Sequence, residues 1–397
     1  MNPLNVFFSR LYQGVLKLFI GLFKIPEPKI IDKMNDIIPL LKENNCHHPL
    51  FVVSNSVLKQ EYTKDFLKNA SDNGITIDYY NKVTPDPTID LITDLVEEYK
   101  NHGCDSIIAC GGGSVMDASK VMGAVVVSNK RVEKLKGMQH VGKKIPYFVA
   151  IPTTAGTGSE ATVAAVITNT KTNDKFAVTD IHFVPDVAVL DDTLLKTLPK
   201  SIIRNSGMDA FCHAIEAFIS RMDTKEGQKY ALQGIKLIKE SIFDFYNDSL
   251  NDVARKNMLY GSYYAGLSMT RQYVGYVHAI AHAIGGYYHL PHGYLIGISL
   301  PYVLEAYGKK AYAKLALIYD SLFKGLKTKE EKALYVINYI KELNKSMDMP
   351  ENLGKIIKES DFDTLAIHAA KEANPSYPVP LELSKEEIKK LIIKING

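Results

Sequence analysis

Short apolar runs alternate with segments of helical period through the first half of the chain. The runs at 50–54, 106–110, 147–151 and 185–190 have the length and the β-branched content of buried strands. Helical segments separate them, so we expect a parallel sheet with helices on both faces. Helices are predicted at 30–41, at 57–73 and from Thr88 to 102, a further strand at 74–79, and a hairpin at 163–178 that turns at 169–174.

Strand patterns disappear after residue 200, and helical periodicity takes over. We therefore expect an all-helical C-terminal half. The predicted domains are an N-terminal helix at 1–28, an α/β dinucleotide-binding domain at 29–195 and a helical metal-binding domain at 196–397. The predicted helices are 209–221, 225–247, 252–270, 276–286, 296–307, 310–323, 329–347, 352–359, 363–372 and 385–395.

The N-terminal segment 1–24 is rich in Phe, Leu and Val, with Arg10, Lys17 and Lys24 at seven-residue spacing. This spacing predicts an amphipathic helix with a basic stripe. Charges interrupt the apolar residues well short of the ~20 needed for a bilayer span, so no transmembrane segment is expected. We expect the helix to pack against the body of the protein or a sister subunit. Docking on a membrane surface or a protein shell is the alternative.

Composition narrows the class of protein. The 397 residues are 46% hydrophobic and 23% charged, which is typical of a globular enzyme. The formal net charge of +3 comes without a concentrated basic face, so we expect no nucleic-acid partner. The four cysteines are scattered without a C-x-x-C pair, which indicates reduced thiols and a cytoplasmic protein.

Two segments of the helical half concentrate histidines among small apolar residues. Residues four apart share a helix face, so Asp209 and His213 project together, as do His278 and His282. One carboxylate and several imidazoles on packed helices can enclose a divalent transition metal. The alternative is a set of core histidines satisfied by ordinary hydrogen bonds. Several buried imidazoles on one face favour a shared cation instead.

A glycine run follows the strand predicted at 106–110. The residues 111–113 are all glycine, and a helix begins directly after them. Such a turn permits close backbone approach, and the helix N-terminus offers N–H groups to a pyrophosphate. A tight turn without a ligand is the alternative. The hydroxyl-rich stretch 152–160 follows the next strand and predicts hydrogen bonds to a nucleotide, with a plain Thr/Gly-rich surface loop as its alternative.

These segments resemble the signatures of the iron-containing (group III) alcohol dehydrogenases, in the same order and at similar spacing. The resemblance implies the dehydroquinate synthase-like architecture of that family, an α/β nucleotide-binding domain followed by an all-α domain. It also implies that His282 lies by the metal without being a regular ligand. The implied metal ligands are Asp209, His213, His278 and His292.

The same resemblance implies the cofactor site. The glycine turn would hold the pyrophosphate, and the hydroxyl loop and a lysine of the hairpin would contact the nucleotide. Taken alone, that lysine would be an ordinary solvated one. The implied residues are Gly112, Gly113, Ser114, Asp117, Thr153, Thr154, Thr157 and Lys175.

One position departs from the pattern of relatives that prefer NAD. An acidic side chain after the first strand accepts from the ribose 2′-hydroxyl and repels a 2′-phosphate. This chain has the neutral Asn55 between two serines. NADP(H) use, or use of both NADP(H) and NAD(H), is therefore predicted.

The resulting hypothesis is an NAD(P)-dependent alcohol dehydrogenase or aldehyde reductase acting on a small alcohol or aldehyde. Iron(II) is the metal implied by the resemblance, with Zn²⁺ as the alternative. A homodimer or higher homo-oligomer is expected, and His282 is the candidate proton relay. The alternatives are a glycerol-dehydrogenase-like polyol dehydrogenase, a dehydroquinate-synthase-like enzyme, and a non-enzymatic protein that binds metal and nucleotide.

Overall fold

The computed structural model of the protein describes residues 3–22, 25–171 and 174–397. Lys24, the third residue of the predicted basic stripe, and residues 172–173 of the predicted hairpin turn lie outside these ranges. The chain forms two compact units. One spans Ile25–Thr197, and the other combines the N-terminal helix with Leu198–Gly397.

The described residues of the Ile25–Thr197 unit form nine strands. They are β1 (Lys29–Ile31), β2 (Pro49–Val53), β3 (Asp78–Tyr80), β4 (Ser106–Gly111), β5 (Gly137–Met138), β6 (Tyr147–Pro152), β7 (Ala164–Asn169), β8 (Asp174–Thr179) and β9 (Val187–Val189). Six form one sheet in the order β1-β9-β6-β4-β2-β3, and every neighbouring pair is parallel. The middle strands β2 and β4 are buried along their whole length, as apolar runs of this kind require.

A smaller sheet has the order β5-β8-β7, and its β7–β8 pair is the predicted antiparallel hairpin. Helices cover the larger sheet, as the strand–helix alternation predicted. One of them begins at Thr88, whose hydroxyl accepts from Leu91 N at 3.2 Å. The described α-helices that precede residue 200 are α1 (Pro3–Leu22), α2 (Ile37–Glu43), α3 (Asn55–Leu58), α4 (Glu61–Asp72), α5 (Ile89–Asn101) and α6 (Gly113–Ser128).

Two predicted helices of this unit were wrong in detail. The helix predicted at 30–41 starts only at Ile37, because Lys29–Ile31 pairs with β9 as an edge strand of the sheet. The helix predicted at 57–73 is broken at Gln60, which has extended backbone angles (φ −72°, ψ 149°) and starts α4. The strand predicted at 74–79 is limited to Asp78–Tyr80.

The other unit is built from helices. They are α7 (Lys200–Ile219), α8 (Lys225–Asn247), α9 (Asp252–Gln272), α10 (Tyr276–Tyr288), α11 (His292–Tyr307), α12 (Lys309–Leu322), α13 (Lys329–Ser346), α14 (Phe362–Ala373) and α15 (Lys385–Asn396). Helix α7 packs against α8, α9 and α11, and α10 packs against α11 and α14. The predicted fold class, a parallel α/β domain followed by a helical one, is confirmed.

One predicted helix of this unit, at 352–359, is absent. Gly354 and Lys355 take left-handed backbone angles, with φ of 65° and 63°. The backbone N–H groups of Leu353 and Lys355 donate to Ile395 O and Asn396 O. The segment therefore caps the end of α15 instead of forming a helix.

Helix α1 packs on the helical unit through its polar residues. Arg10 Nη1 donates to Val379 O at 2.9 Å and Arg10 Nε lies 3.3 Å from Glu382 Oε1, while Gln13 Nε2 donates to Tyr377 O at 3.0 Å. The large apolar residues at the described positions of its other face are exposed, and they are Leu4, Phe7, Phe8, Leu11, Val15 and Leu18. Among the described residues, no helix combines the length and apolar character that crossing a bilayer needs.

Candidate metal centre and nucleotide loop

Three imidazoles of the helical unit point at one carboxylate oxygen. Asp209 Oδ1 lies 3.8 Å from Nε2 of His213, 3.6 Å from Nε2 of His278 and 3.4 Å from Nε2 of His292. Asp209 and His213 are one turn apart on α7, His278 lies in the first turn of α10, and His292 is the first residue of α11. The structure therefore brings the four candidate ligands together from three helices.

Burial makes this arrangement unusual for a cluster without a cation. Asp209 and His278 are almost fully buried, and neither Asp209 Oδ1 nor His278 Nε2 has a hydrogen-bond partner among the described residues. Buried polar atoms without partners cost about 1–3 kcal/mol each. One carboxylate oxygen and three imidazole nitrogens also match the donor preference of Fe²⁺ and Zn²⁺. The residues thus fit a divalent transition metal.

The ionisable groups of this centre shift each other's pKa values. Burial favours the neutral carboxyl of Asp209, but the imidazoles of His213 and His292 outweigh it and hold its pKa well below the usual value. Burial opposes protonation of His278, yet the nearby carboxylates of Asp209 and Glu216 raise its pKa to about 9. Burial lowers the pKa of His292, against the pull of Asp209. Protons at this centre are therefore held by His278 in the absence of a cation.

Glu216 orients His278. Its Oε2 lies 2.6 Å from His278 Nδ1 and accepts from Gly275 N at 2.8 Å, while its Oε1 accepts from Val277 N at 2.9 Å. A carboxylate accepts only, so Nδ1 keeps its proton, and the proton that a cation displaces is the one on Nε2, which faces Asp209. The same contacts fix the first turn of α10. Sequence reasoning gave Glu216 no role.

The start of α11 needs a glycine beside the ligand histidine. A Cβ on Gly293 would lie 2.2 Å from the backbone oxygen of Asn205 on α7. Only glycine permits this approach of the two helices, and the approach carries His292 to Asp209. Helix α10 ends at Tyr288 and Pro291 is the N-cap of α11, so His292 enters the centre from a separate helix.

His282 lies beside the centre and has partners of its own. Its ring stacks on His292 at a centroid distance of 5.0 Å, and its Nδ1 lies 2.7 Å from Glu372 Oε1. Tyr377 Oη donates to the same oxygen at 2.7 Å. His282 is more exposed than His278, and no distance to Asp209 marks it as a fifth ligand. Sequence reasoning missed Glu372 and Tyr377, which reach His282 only through tertiary packing.

The glycine turn and the hydroxyl loop adjoin in the α/β unit. Thr153 N donates to Gly111 O at 3.0 Å, and a Cβ on Gly113 would lie 2.7 Å from Thr157 Cγ2. The side chain of Thr154 faces Gly112. No side chain caps the start of α6, which leaves N–H groups of its first turn, such as that of Ser114, for a ligand. The pair of loops can hold a phosphate-bearing ligand.

Asp117 holds the loops in place. Its Oδ1 accepts from Ser159 Oγ at 2.9 Å and its Oδ2 accepts from Val166 N at 2.9 Å. Burial raises the pKa of this carboxyl, against the nearby ammonium of Lys120. Both oxygens have protein partners, so Asp117 positions the hydroxyl loop and strand β7, and its contact with a nucleotide stays a prediction.

Lys120 clamps the same loop from inside the protein, and sequence reasoning overlooked it. Its ammonium is fully buried and donates to both oxygens of Ser159, both oxygens of Thr162 and Ala164 O, at 2.6–3.1 Å. Burial lowers its pKa to about 8. A signal was available: Lys120 falls three residues after Asp117 on α6, so the two project to one side of the helix.

Two further cofactor candidates, Asn55 and Lys175, lie outside the glycine turn and the hydroxyl loop. Asn55 starts α3 directly after β2, the neighbour of β4, and its Oδ1 accepts from Asn81 at 3.4 Å. Lys175, on β8, is paired with Asp86 Oδ1 at 2.6 Å. The structure places Asn55 at the same edge of the sheet as the glycine turn, whereas it ties Lys175 to a carboxylate.

Comparison with known proteins agrees with this reading of the two units. Residues 30–192 match the family model for iron-containing alcohol dehydrogenases, and residues 203–395 match the C-terminal model of the Fe-containing alcohol dehydrogenase family. Together the two matches cover nearly the whole chain after the N-terminal helix.

Individual relatives cover most of the chain. An NADPH-dependent butanol dehydrogenase from Clostridium saccharobutylicum is 34% identical over 82% of this chain and 84% of its own length. An NAD-dependent methanol dehydrogenase from Bacillus methanolicus is 31% identical over 87% and 92%. The crystal structure of an alcohol dehydrogenase from Oenococcus oeni superposes with a TM-score of 0.90 at 30% identity, covering 94% of this chain and 100% of that one. The chain therefore belongs to the iron-containing alcohol dehydrogenase family.

Proposed function

We propose that the protein oxidises a small alcohol, and reduces the matching aldehyde, with NAD(P) and a divalent cation held by Asp209, His213, His278 and His292. The convergence of three imidazole Nε2 atoms on the buried Asp209 Oδ1 carries this proposal. Family membership supports the oxidoreductase class. The relatives' names include both a butanol and a methanol dehydrogenase, which supports a small aliphatic substrate.

The chain's own residues would do the following. Asp209 and the three imidazoles would hold the cation, which supplies Lewis-acid polarisation of the substrate oxygen when bound. Glu216 keeps the Nε2 lone pair of His278 directed at that position. The α6 N-terminus and the hydroxyl loop would orient the nicotinamide cofactor, which carries the hydride.

His282 is the proposed proton carrier. Its Nδ1 is held by Glu372, and the carboxylate of Glu372 is fixed in turn by Tyr377. An imidazole gripped at Nδ1 has Nε2 left to exchange a proton with substrate or water. Burial opposes ionisation of Glu372, but the charge of His282 outweighs it and lowers the pKa of the carboxyl. Glu372 therefore stays charged at neutral pH and can stabilise the imidazolium.

Cofactor choice and metal choice are proposed on the same grounds. Residues 54–56 carry no carboxylate, so a 2′-phosphate meets no repulsion there and NADP(H) is accepted alongside NAD(H). Iron(II) is the proposed metal, with Zn²⁺ as its competitor. The four cysteines are free and buried, which supports a reducing, cytoplasmic setting. Light scattering would test the proposed homodimer.

The deciding experiment is a panel of short alcohols and aldehydes run with both cofactors on protein prepared without air. Cofactor absorbance reports turnover, and elemental analysis of the same sample identifies the metal. His278→Ala should lose metal and activity together, whereas His282→Ala should keep the metal and lose about 10²-fold or more in turnover. Full activity of metal-free protein would contradict the proposal.

A matched change tests cofactor choice separately. Asn55→Asp should raise the preference for NAD over NADP, measured as the ratio of the two kcat/KM values, with no change in metal content. An unchanged ratio would show that Asn55 lies away from the ribose.

A further inference from the structure

A second cluster of metal-binding side chains lies in the α/β unit. His48 directly precedes β2, Asp78 begins β3, and Cys104 is separated from the start of β4 by one residue. The parallel register sets these strand starts side by side, with Leu50 opposite Asp78 and Pro49 opposite Ser106. The three side chains therefore meet at the amino edge of the sheet. His102 joins them from the end of α5.

Two imidazoles share one carboxylate oxygen in this cluster. Asp78 Oδ2 lies 2.7 Å from His48 Nε2 and 2.9 Å from His102 Nδ1. The potential ligand atoms of His48, Asp78 and Cys104 all lie within 4.8 Å of one another. In a tetrahedral ion site with ligand bonds of about 2.0–2.3 Å, neighbouring ligand atoms lie roughly 3.3–3.7 Å apart. Binding would therefore move each imidazole nitrogen away from Asp78 Oδ2 by roughly 0.5–1 Å and draw the more distant ligand atoms together.

The backbone around the cluster is fixed by a further carboxylate. Asp105 Oδ2 accepts from the N–H groups of both His47 and His48, at 2.7 and 2.9 Å. This contact holds the imidazole of His48 at the start of β2. Cys104 is 8% exposed, whereas the side chains of His48 and His102 are 28% and 43% exposed, so the cluster lies where buried and solvent-exposed side chains meet.

We propose that His48, Asp78, His102 and Cys104 form a structural site for a zinc-class divalent cation. Two imidazoles, one carboxylate and one thiolate are a donor set that suits tetrahedral Zn²⁺. Without Cys104, the cluster would be an ordinary surface ion-pair network, because His102 Nε2 also lies 3.3 Å from Glu98. Such a network needs no thiol, and the sulfur of the buried Cys104 lies within 4.8 Å of the ligand atoms of His48 and Asp78.

This site is separate from the glycine turn. The turn follows the carboxyl end of β4, whereas Cys104 lies before its amino end, so a six-residue strand separates the two. An ion here would tie β2, β3, β4 and the end of α5 together. Its role is to stabilise the fold, and it does not depend on the proposed function.

Cobalt substitution tests the site with a signal that the histidine centre does not share. The protein is loaded with Co²⁺, and a thiolate-to-cobalt charge-transfer band is sought in the near ultraviolet. Elemental analysis of zinc-loaded protein should give two ions per chain. Cys104→Ser should remove the band and one ion, and His102→Ala should weaken binding of that ion at least tenfold. Loading with Zn²⁺ should raise the Tm of the wild type more than that of Cys104→Ser.

Two cysteine variants serve as controls. Cys46→Ser alters another buried thiol outside the cluster, and Cys212→Ser alters the thiol whose sulfur lies 4.0 Å from His278 Nδ1. Both should keep the band. A wild-type protein with one ion per chain and no band would overturn the proposal, as would a band lost in Cys212→Ser but kept in Cys104→Ser.

Discussion

Glu216 Oε2 lies 2.6 Å from Nδ1 of His278, and this contact decides which ring nitrogen of His278 faces Asp209. Glu216 stands seven residues after Asp209 on α7, so the residue that orients the centre and the residue at its middle share one helix face. The position of His278 is thus set by the same helix that supplies Asp209 and His213.

Glu216→Gln should lower metal affinity about 10–100-fold, because an amide nitrogen would face N–H groups that now meet a carboxylate. Dialysis followed by elemental analysis measures the retained metal. Activity should recover in part with excess Fe²⁺ or Zn²⁺. The matched control is Glu382→Gln, a buried glutamate of the same unit that pairs with Arg10 and touches no histidine. Equal metal loss in both variants would argue against an orienting role for Glu216.

Metal uptake should depend on pH through His278. Its pKa, raised from 6.5 to about 9, means that a cation must displace a proton at neutral pH. Affinity measured by competition with a chelator should therefore fall as the pH drops below about 9. An affinity that stays flat between pH 6 and 9 would place the displaced proton elsewhere.

The same proton should stabilise the metal-free protein. A group whose pKa is raised on folding contributes stability that is complete below its unfolded value and is lost as the pH rises through the folded value. The Tm of chelated protein should accordingly fall between pH 6.5 and about 9. Metal-loaded protein should lack this fall, since the cation has already replaced the proton.

Gly293→Ala should disturb the metal centre without touching a ligand. The added Cβ would meet Asn205 O at 2.2 Å and would push the start of α11, with His292, away from α7. We expect a loss of about 1–3 kcal/mol in the free energy of unfolding, together with reduced metal retention. Denaturant unfolding and elemental analysis measure the two effects.

Gly286→Ala is the control for that change. Nothing lies within 4 Å of a Cβ at Gly286, and the residue is in the interior of α10. Alanine there should be neutral or stabilising by up to about 1 kcal/mol. A similar loss of metal in both variants would mean that the close approach at Gly293 does not position His292.

Lys120→Met should loosen the hydroxyl loop and leave the metal centre intact. The change removes the ammonium that donates hydrogen bonds to oxygens of Ser159, Thr162 and Ala164. We expect the KM for the nucleotide to rise about tenfold or more, with unchanged metal content. Isothermal titration with the nucleotide alone checks the affinity. Normal affinity in a folded variant would show that the loop needs no clamp.

The fold class and the pairing of Asp209 with His213 could be predicted from local periodicity, whereas the full set of ligands was implied only by the family resemblance. The i, i+4 spacing put Asp209 and His213 on one face of α7, and the strand–glycine–helix order gave the turn at 111–113. Features that depend on tertiary contacts could not be predicted from local periodicity. The edge strand at Lys29–Ile31 forms because β9 offers it a partner, and Glu372 reaches His282 from 90 positions away in the chain.

Helix α1 is held by polar contacts, and this determines what a truncation made to improve solubility would remove. Removing residues 3–22 would eliminate the exposed apolar side chains of this helix. It would also deprive the buried carboxylate of Glu382 of its guanidinium partner, Arg10. Trimming would thus remove exposed apolar surface together with the contacts that Arg10 and Gln13 make to Glu382, so Glu382→Gln belongs in the same design.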